Sequence, residues 1–218
     1  MLHTYRKQKG VCNMAVDFNK SKTKENLMRA FAGESQARNR YTIAAETARE
    51  KNMFAINQVF LFTADQERAH AERFYDLLQP FSGTTIAIDG AYPVDHYDSV
   101  VQLLRAAQHN EMEEATDVYP AFGDVARAEG FPEISATFYE IAEIERIHSK
   151  RFGKLASLLE SNQYFECVTG RNWMCLNCGY IFCGRKLPEV CPACLHDKGY
   201  FIPAELAPFL ECDFLKGK

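Results

Sequence analysis

Two stretches decide the fold: Phe60 to Leu78, which contains Glu67-Arg68-Ala69-His70, and Phe138 to Leu159, which contains Glu145-Arg146-Ile147-His148. Each holds a Glu-x-x-His motif inside the apolar stripe of an expected helix. The first stripe reads Phe60, Ala64, Glu67, Ala71, Phe74 and Leu78. The second reads Phe138, Ile141, Glu145, His148, Phe152, Leu155 and Leu159. Residues three or four apart share a helix face, so these Glu and His side chains point into a core. A bare carboxylate buried there costs several kcal/mol unless something compensates it. Two buried Glu-x-x-His pairs in one chain ask for cations, and most simply for two.

Two further segments add inward carboxylates. From Lys22 to Lys51 the stripe is Leu27, Phe31, Glu34, Ala37, Tyr41, Ala44 and Ala48, interrupted by Glu34. From Ser99 to Glu129 it is Val100, Leu104, Ala107, Glu111, Glu114, Val118, Phe122 and Val125, interrupted by Glu111 and Glu114. Taken singly, each has a bland reading as a boundary glutamate or a hydrogen-bonded core histidine. Spread over four helices, they match the ligand set of a dinuclear carboxylate site in a four-helix bundle. Carboxylate and imidazole together suit iron or manganese.

Composition sets the class. A chain of 218 residues suffices for one good core plus a small module. Apolar content of 47% and charged content of 25% are ordinary for a soluble globular protein. A net charge of −4 argues against broad nucleic-acid binding. No apolar run is long enough for a membrane span. Met1 to Gly10 is basic but lacks an apolar core, so it is not read as a secretory signal, and Met14 offers an alternative start. Eight cysteines would suit a small disulfide-bonded secreted protein. Their placement favours metal ligation in a reducing cytoplasm, because none lies between Asn13 and Glu166 and four form two Cys-x-x-Cys pairs.

The expected organisation has an N-terminal extension at 1–16, a helical bundle at 17–163, a small metal module at 168–206 and a tail at 207–218. The first helix starts after Ser21 or Thr23, both suitable N-caps. The second runs from about Phe54 to Gln79 and stops at Pro80. Gly83, Gly90 and Pro93 mark a long connection, which lets the second and third helices lie parallel. Pro120 should bend the third helix just after Tyr119. Gly130 ends it, and Pro132 opens a fourth helix running to about Asn162.

Near the C-terminus, Cys175-Leu-Asn-Cys178 and Cys191-Pro-Ala-Cys194 supply four thiolates in two pairs, which suits tetrahedral zinc or a single iron. Gly179 and Ala193 stand beside these cysteines, where small residues let backbone N–H groups approach sulfur. Trp173, Tyr180, Phe182, Tyr200 and Phe201 are candidates for a small aromatic core. Spacing alone leaves zinc and iron open. Cys12, Cys167, Cys183 and Cys212 have no matching spacing and read as free thiols, with Cys183 near enough in sequence to be a stray ligand.

Taken together, these motifs resemble the rubrerythrin family. The stretch Asn26 to Ala37, with Glu34 at its centre, looks like that family's first-helix signature. Glu67 with His70, Glu111 and Glu114 before Val118-Tyr119-Pro120, Glu145 with His148, and the final Cys-x-x-Cys pairs follow in family order, over about Val16 to Pro203. The resemblance implies a mainly α chain: a ferritin-like four-helix bundle with a small C-terminal rubredoxin-like domain. It implies a non-haem diiron centre held by Glu34, Glu67, His70, Glu111, Glu114, Glu145 and His148, with Glu114 exchanging for His70 on reduction. Tyr41 and Tyr119 match family tyrosines beside these carboxylates, against the plainer reading of packed core aromatics. Cys175, Cys178, Cys191 and Cys194 would hold one rubredoxin-like iron.

The implied activity is reduction of hydrogen peroxide to water in defence against oxidative stress. Electrons would come from rubredoxin or an NAD(P)H-dependent reductase, and the chain would form a head-to-tail homodimer. No Gly-x-Gly-x-x-Gly fingerprint appears, so the nicotinamide cofactor should bind a separate protein. Neither nucleic acid nor membrane is expected as a partner. Iron storage and oxygen activation are the competing classes. The thiolate module argues against storage, which needs no dedicated electron input.

Overall fold

Ser21 starts the bundle. Its Oγ accepts a hydrogen bond from the Lys24 N–H at 3.1 Å, and α1 then runs Lys22–Glu50. The Glu129 carboxylate accepts from the next two free amides, Lys22 N–H at 2.9 Å and Thr23 N–H at 2.8 Å. These contacts satisfy donors that a helix start otherwise leaves unpaired. The computed structural model describes residues 16–210. The expectations about Met14, the basic segment Met1 to Gly10, Cys12 and Cys212 lie outside the described residues.

Asn52 takes a left-handed conformation, with φ 57°, and turns the chain directly into α2, Phe54–Leu77. That helix ends two residues before the expected Gln79, and Pro80 sits in a short 3-10 turn, Gln79–Phe81. The connection to α3, Val100–Glu113, is long and irregular as expected. A π-helical turn, Glu114–Val118, leads into α4, Tyr119–Ala128, and α5 spans Pro132–Glu160. No helix among the described residues is long and apolar enough to cross a membrane.

Where the sequence suggested a bend at Pro120, the chain widens into the π turn just before it. Proline lacks an N–H, and its ring crowds the carbonyl four residues back. The wider turn relieves this, with the Tyr119 N–H reaching back five residues to the Glu114 carbonyl. One extra residue per turn rotates the apolar face. Beyond Glu111, the buried positions are Ala115, Tyr119, Gly123 and Ala126, while the expected Val118, Phe122 and Val125 are only half-buried.

Two apolar layers fill the bundle. One holds Tyr41, Phe60, Leu104 and Phe152. The other holds Leu27, Phe74, Tyr119 and Phe138. Along α1, α2 and α5, the glutamates Glu34, Glu67 and Glu145 fall between residues of the two layers. Charge is thus confined to a slab with low dielectric on either side.

After α5 the chain forms a three-stranded antiparallel sheet, ordered β2-β1-β3, from β1 Glu166–Cys175, β2 Ile181–Lys186 and β3 Phe201–Pro203. Trp173 is fully buried and donates from Nε1 to the Tyr164 carbonyl at 2.7 Å. Phe201 is buried with it, and Tyr180, Phe182 and Tyr200 pack against them, as the aromatic composition suggested. The module docks on the end of the bundle where α1 turns into α2. Tyr200 stacks on Phe54 with ring centroids 4.4 Å apart, and Gly199 lies against the Asn52 carbonyl.

Candidate metal centres

Glu34, Glu67, Glu111, Glu145 and His148 are all fully buried, and His70 is 8% exposed. Helical spacing brings each Glu-x-x-His pair onto one face, and the two pairs meet across the bundle. Glu145 presents Oε1 to His70 Nδ1 at 2.9 Å and Oε2 to His148 Nδ1 at 2.8 Å. Glu67 does the same, with Oε2 at 3.2 Å from His70 Nδ1 and Oε1 at 3.0 Å from His148 Nδ1. Glu34 adds an oxygen at 3.8 Å on the His70 side, and Glu111 adds one at 3.3 Å on the His148 side. Two clusters result: Glu34, Glu67, His70 and Glu145; and Glu67, Glu111, Glu145 and His148. Within each, the potential ligand atoms lie within 4.8 Å of one another. Glu67 and Glu145 belong to both.

Electrostatics shows why cations belong here. Burial, with Glu145 close by, pushes the Glu34 carboxyl well above its ordinary range, and burial also raises Glu111 to about 7. Burial alone would depress the His148 imidazole, but Glu111, Glu145 and Glu67 outweigh it and pull it up to about 11. His70 is raised in the same way against its burial by Glu145, Glu34 and Glu67. Both Glu145 carboxylate oxygens, Glu34 Oε2 and Glu67 Oε1 are buried without a hydrogen bond. Such orphaned acceptors, facing imidazole nitrogens, are the donor set of a metal site.

The tyrosines are more than packing. Tyr41 donates its phenol to Glu111 from one apolar layer, and Tyr119 donates to Glu34 from the other. Burial keeps both phenols protonated, with the neighbouring carboxylates adding to the shift. Each tyrosine thus supplies a neutral donor to a carboxylate on one side of the slab.

Glu114 stands in neither cluster, although burial and its carboxylate neighbours raise its pKa well above the ordinary range. It is half-buried in the π turn and lines a cavity beside the slab. His70 completes the cluster with Glu34, the one of the two exchanging residues that the resemblance implies for the reduced state.

Sequence reading missed Gln66. Its Oε1 lies 3.1 Å from His148 Nε2 and accepts from Arg151 Nη1 at 3.2 Å. Arginine can only donate, so the atom it faces must be the amide oxygen. His148 then carries a proton on Nε2, so a metal held by the cluster would displace the proton on Nδ1 and take that nitrogen. Arg151 is itself held by Thr63 Oγ1 at 3.1 Å. A polar residue immediately before Glu67 carries no periodic signal, because its partner sits on another helix.

The four cysteines meet at the edge of the small sheet. Cys175 Sγ is 3.8 Å from Cys194 Sγ, and Cys178 Sγ is 3.8 Å from Cys191 Sγ. Metal–sulfur bonds of about 2.3 Å in a tetrahedron require sulfur separations close to about 3.8 Å. Backbone N–H groups of Asn177 and Cys178 point at Cys175, that of Tyr180 at Cys178 and that of His196 at Cys194. The His196 amide helps bring the Cys194 thiol down to about 6, which favours the thiolate. Gly179 has φ 78° and donates to the Cys175 carbonyl at 2.8 Å. The matching place in the second knuckle belongs to Leu195, not Ala193: Leu195 has φ 62° and donates to the Cys191 carbonyl at 2.9 Å. Cys167 and Cys183 are free and stand outside the four-sulfur group.

Comparison with known proteins agrees with both sites. A family model described as rubrerythrin matches residues 25–156, and the rubredoxin-like domain model of the same family matches 173–202. Rubrerythrin-1 of Clostridium acetobutylicum is 46% identical over 183 residues, 83% of this chain and 93% of that protein. The rubrerythrin of Porphyromonas gingivalis is 44% identical over 183 residues, 84% of this chain and 90% of that one. Among solved structures, nigerythrin in its fully reduced, all-ferrous state superposes with a TM-score of 0.57 at 28% identity, over 93% of this chain and 100% of that one. The chain belongs to the rubrerythrin family, its bundle built for a non-haem diiron centre and its C-terminal module for one rubredoxin-like iron.

Proposed function

We propose that the protein reduces hydrogen peroxide to water as a defence against oxidative stress, with electrons relayed through the rubredoxin-like iron. In this reading Glu34, Glu67, His70, Glu111, Glu145 and His148 hold the iron pair, with Glu114 as a further carboxylate beside it. Cys175, Cys178, Cys191 and Cys194 hold the single iron. One observation carries the reading: Glu67 and Glu145 each span the two histidines, so the two clusters that would hold the iron pair share two carboxylates in one buried slab.

An iron pair bound there supplies both electrons that cleavage of an O–O bond requires, whereas a thiolate iron passes one at a time. The chain's own residues supply the rest. Two apolar layers exclude bulk water from the slab. Tyr119 holds a phenolic proton against Glu34 and also borders the cavity beside Glu114. Tyr41 holds another against Glu111. Each peroxide consumes two protons as well as two electrons, and these neutral donors lie beside the carboxylates.

The docking of the small module bears on the electron path. It packs at Phe54, while Glu67 lies about 20 Å further along α2, given about 1.5 Å of rise per residue. In this reading the chain forms a head-to-tail homodimer, in which one subunit's thiolate iron would serve its partner's pair. The electrons would enter from rubredoxin or a separate NAD(P)H-dependent reductase. Free thiols at Cys167 and Cys183 suit a reducing cytoplasm.

Stopped-flow mixing of the reduced protein with hydrogen peroxide and, separately, with oxygen tests the reading. Peroxide should oxidise the iron pair much faster. Oxidation by oxygen at an equal or greater rate would overturn it in favour of oxygen chemistry.

A further inference from the structure

A cavity of about 200 Å³ opens beside Glu114. Its inner wall includes Glu114 and Tyr119, and its roof is the connection between α2 and α3, from Gly90 to Pro93. This is more room than hydrogen peroxide needs. A water molecule takes about 30 Å³ in the liquid, and a cavity of about 150 Å³ accepts benzene. Much of the remaining lining is apolar, with Ala30, Val118 and Phe122 among it.

Gly33 keeps this space open. It sits inside the long helix α1, where glycine is less favourable than alanine. A Cβ placed there would meet only Tyr92 Cε1, at an ordinary 3.8 Å. Backbone crowding therefore does not demand the glycine. The missing side chain leaves volume next to Glu34.

The roof is pinned, and the nearby charges are paired. Asp95 accepts from Arg40 Nη1 at 2.9 Å and from Asn110 Nδ2 at 2.7 Å. Tyr92 donates to the Arg29 carbonyl at 3.3 Å. The Arg29 guanidinium pairs with Asp89 at 2.6 Å and with Glu25 at 3.3 Å. Both guanidinium groups bordering the cavity are thus matched by carboxylates, and the Glu113 carboxylate at its edge adds no attraction for an anion. The cavity suits a neutral, partly apolar molecule.

We propose that this cavity seats the organic tail of an uncharged alkyl or aryl hydroperoxide, so that such compounds are reduced alongside hydrogen peroxide. The inference rests on the peroxide-reductase reading and extends its substrate class. The O–O bond breaks, two electrons come from the reduced non-haem iron pair and two protons are taken up. A hydroperoxide ROOH thereby yields the alcohol ROH and one water. The tail stays under the roof while the O–O group faces the carboxylate slab.

Two readouts test this on the full-length, iron-loaded protein. The first uses the oxidised protein and 2-phenyl-2-propanol, the alcohol that cumene hydroperoxide would leave. Ligand-observed NMR should show saturable binding, weakened roughly tenfold or more by Gly33→Leu, which fills the cavity from α1. Ala91→Phe fills it from the exposed roof and should weaken binding similarly, so misfolding of α1 cannot mimic the result. The second readout is stopped-flow oxidation of the reduced protein by cumene hydroperoxide and by hydrogen peroxide. The ratio of the two rates should fall roughly tenfold in both variants. If hydrogen peroxide oxidises the wild type but the alcohol does not bind and cumene hydroperoxide does not react, the inference fails and the peroxide reading stands. If neither peroxide oxidises the iron pair, the peroxide reading fails and the inference falls with it.

Discussion

Replacement of Gly199 by alanine should loosen the small module from the bundle without damaging either metal site. A Cβ at residue 199 would lie 1.7 Å from the Asn52 carbonyl oxygen and 2.9 Å from its carbon. Both are backbone atoms, so no side chain can swing away. Asn52 is itself fixed in a left-handed turn, with its N–H on the Arg49 carbonyl at 3.0 Å. Overpacking of this kind costs about 1–3 kcal/mol. Separation of the surfaces would also break the Phe54–Tyr200 stack, worth about 0.5–1.5 kcal/mol. The stack resists separation in wild type and variant alike, so the clash alone weakens docking, by about 1–3 kcal/mol or roughly 5- to 160-fold in the opening equilibrium. Hydrogen exchange over residues 51–56 and 198–203 reads that opening directly. Exchange there should accelerate, while the helices around Glu67 and Glu145 stay protected and the thiolate iron keeps its visible absorption. Exchange within about twofold of wild type in both segments would refute the docking argument, because the clash could then be absorbed at almost no cost.

Cys178→Ser should spoil the thiolate site and leave the bundle folded, since Cys178 lies outside it. The chemically reduced variant should still complete one turnover with peroxide, whereas turnover sustained by an added electron-transfer chain should collapse. Full sustained activity would show that electrons reach the pair by another route. Gln66→Leu removes the acceptor shared by His148 and Arg151 and should lower diiron affinity roughly 10- to 100-fold. Gln66→Glu restores an acceptor and should recover iron content, with the potential of the pair lowered by the added charge. Wild-type iron content and potential in Gln66→Leu would reduce that contact to packing.

The legible part of this protein follows from short-range geometry. An α-helix repeats every 3.6 residues, so Glu67 with His70 and Glu145 with His148 declare a shared face wherever their helix sits. The same argument exposes Glu34 and Glu111 as carboxylates in apolar stripes, and Ser21 as a helix start. Two Cys-x-x-Cys pairs declare a four-sulfur site, because each knuckle is a local turn. The resemblance carried by these motifs then settles the fold class and narrows the metals to iron.

The sequence by itself therefore determined which residues carry charge into the core and which carry sulfur to the small module. Only the tertiary structure decided how they meet. Pro120 relieves its crowding with a π turn before it, so the stripe slips by one residue and Glu114 lies on a cavity wall, outside both clusters. The pairing of Gln66 with His148 and Arg151 joins α2 to α5, and no period within one helix encodes a contact between two. Leu195 takes the left-handed conformation in the second knuckle that Gly179 takes in the first, at a backbone cost of roughly 1–2 kcal/mol carried by the surrounding knuckle. Gly199 reads as an ordinary loop glycine until Asn52 is placed against it. Periodicity reports the face a residue shares with its own helix, whereas these four features depend on what other segments bring to that face.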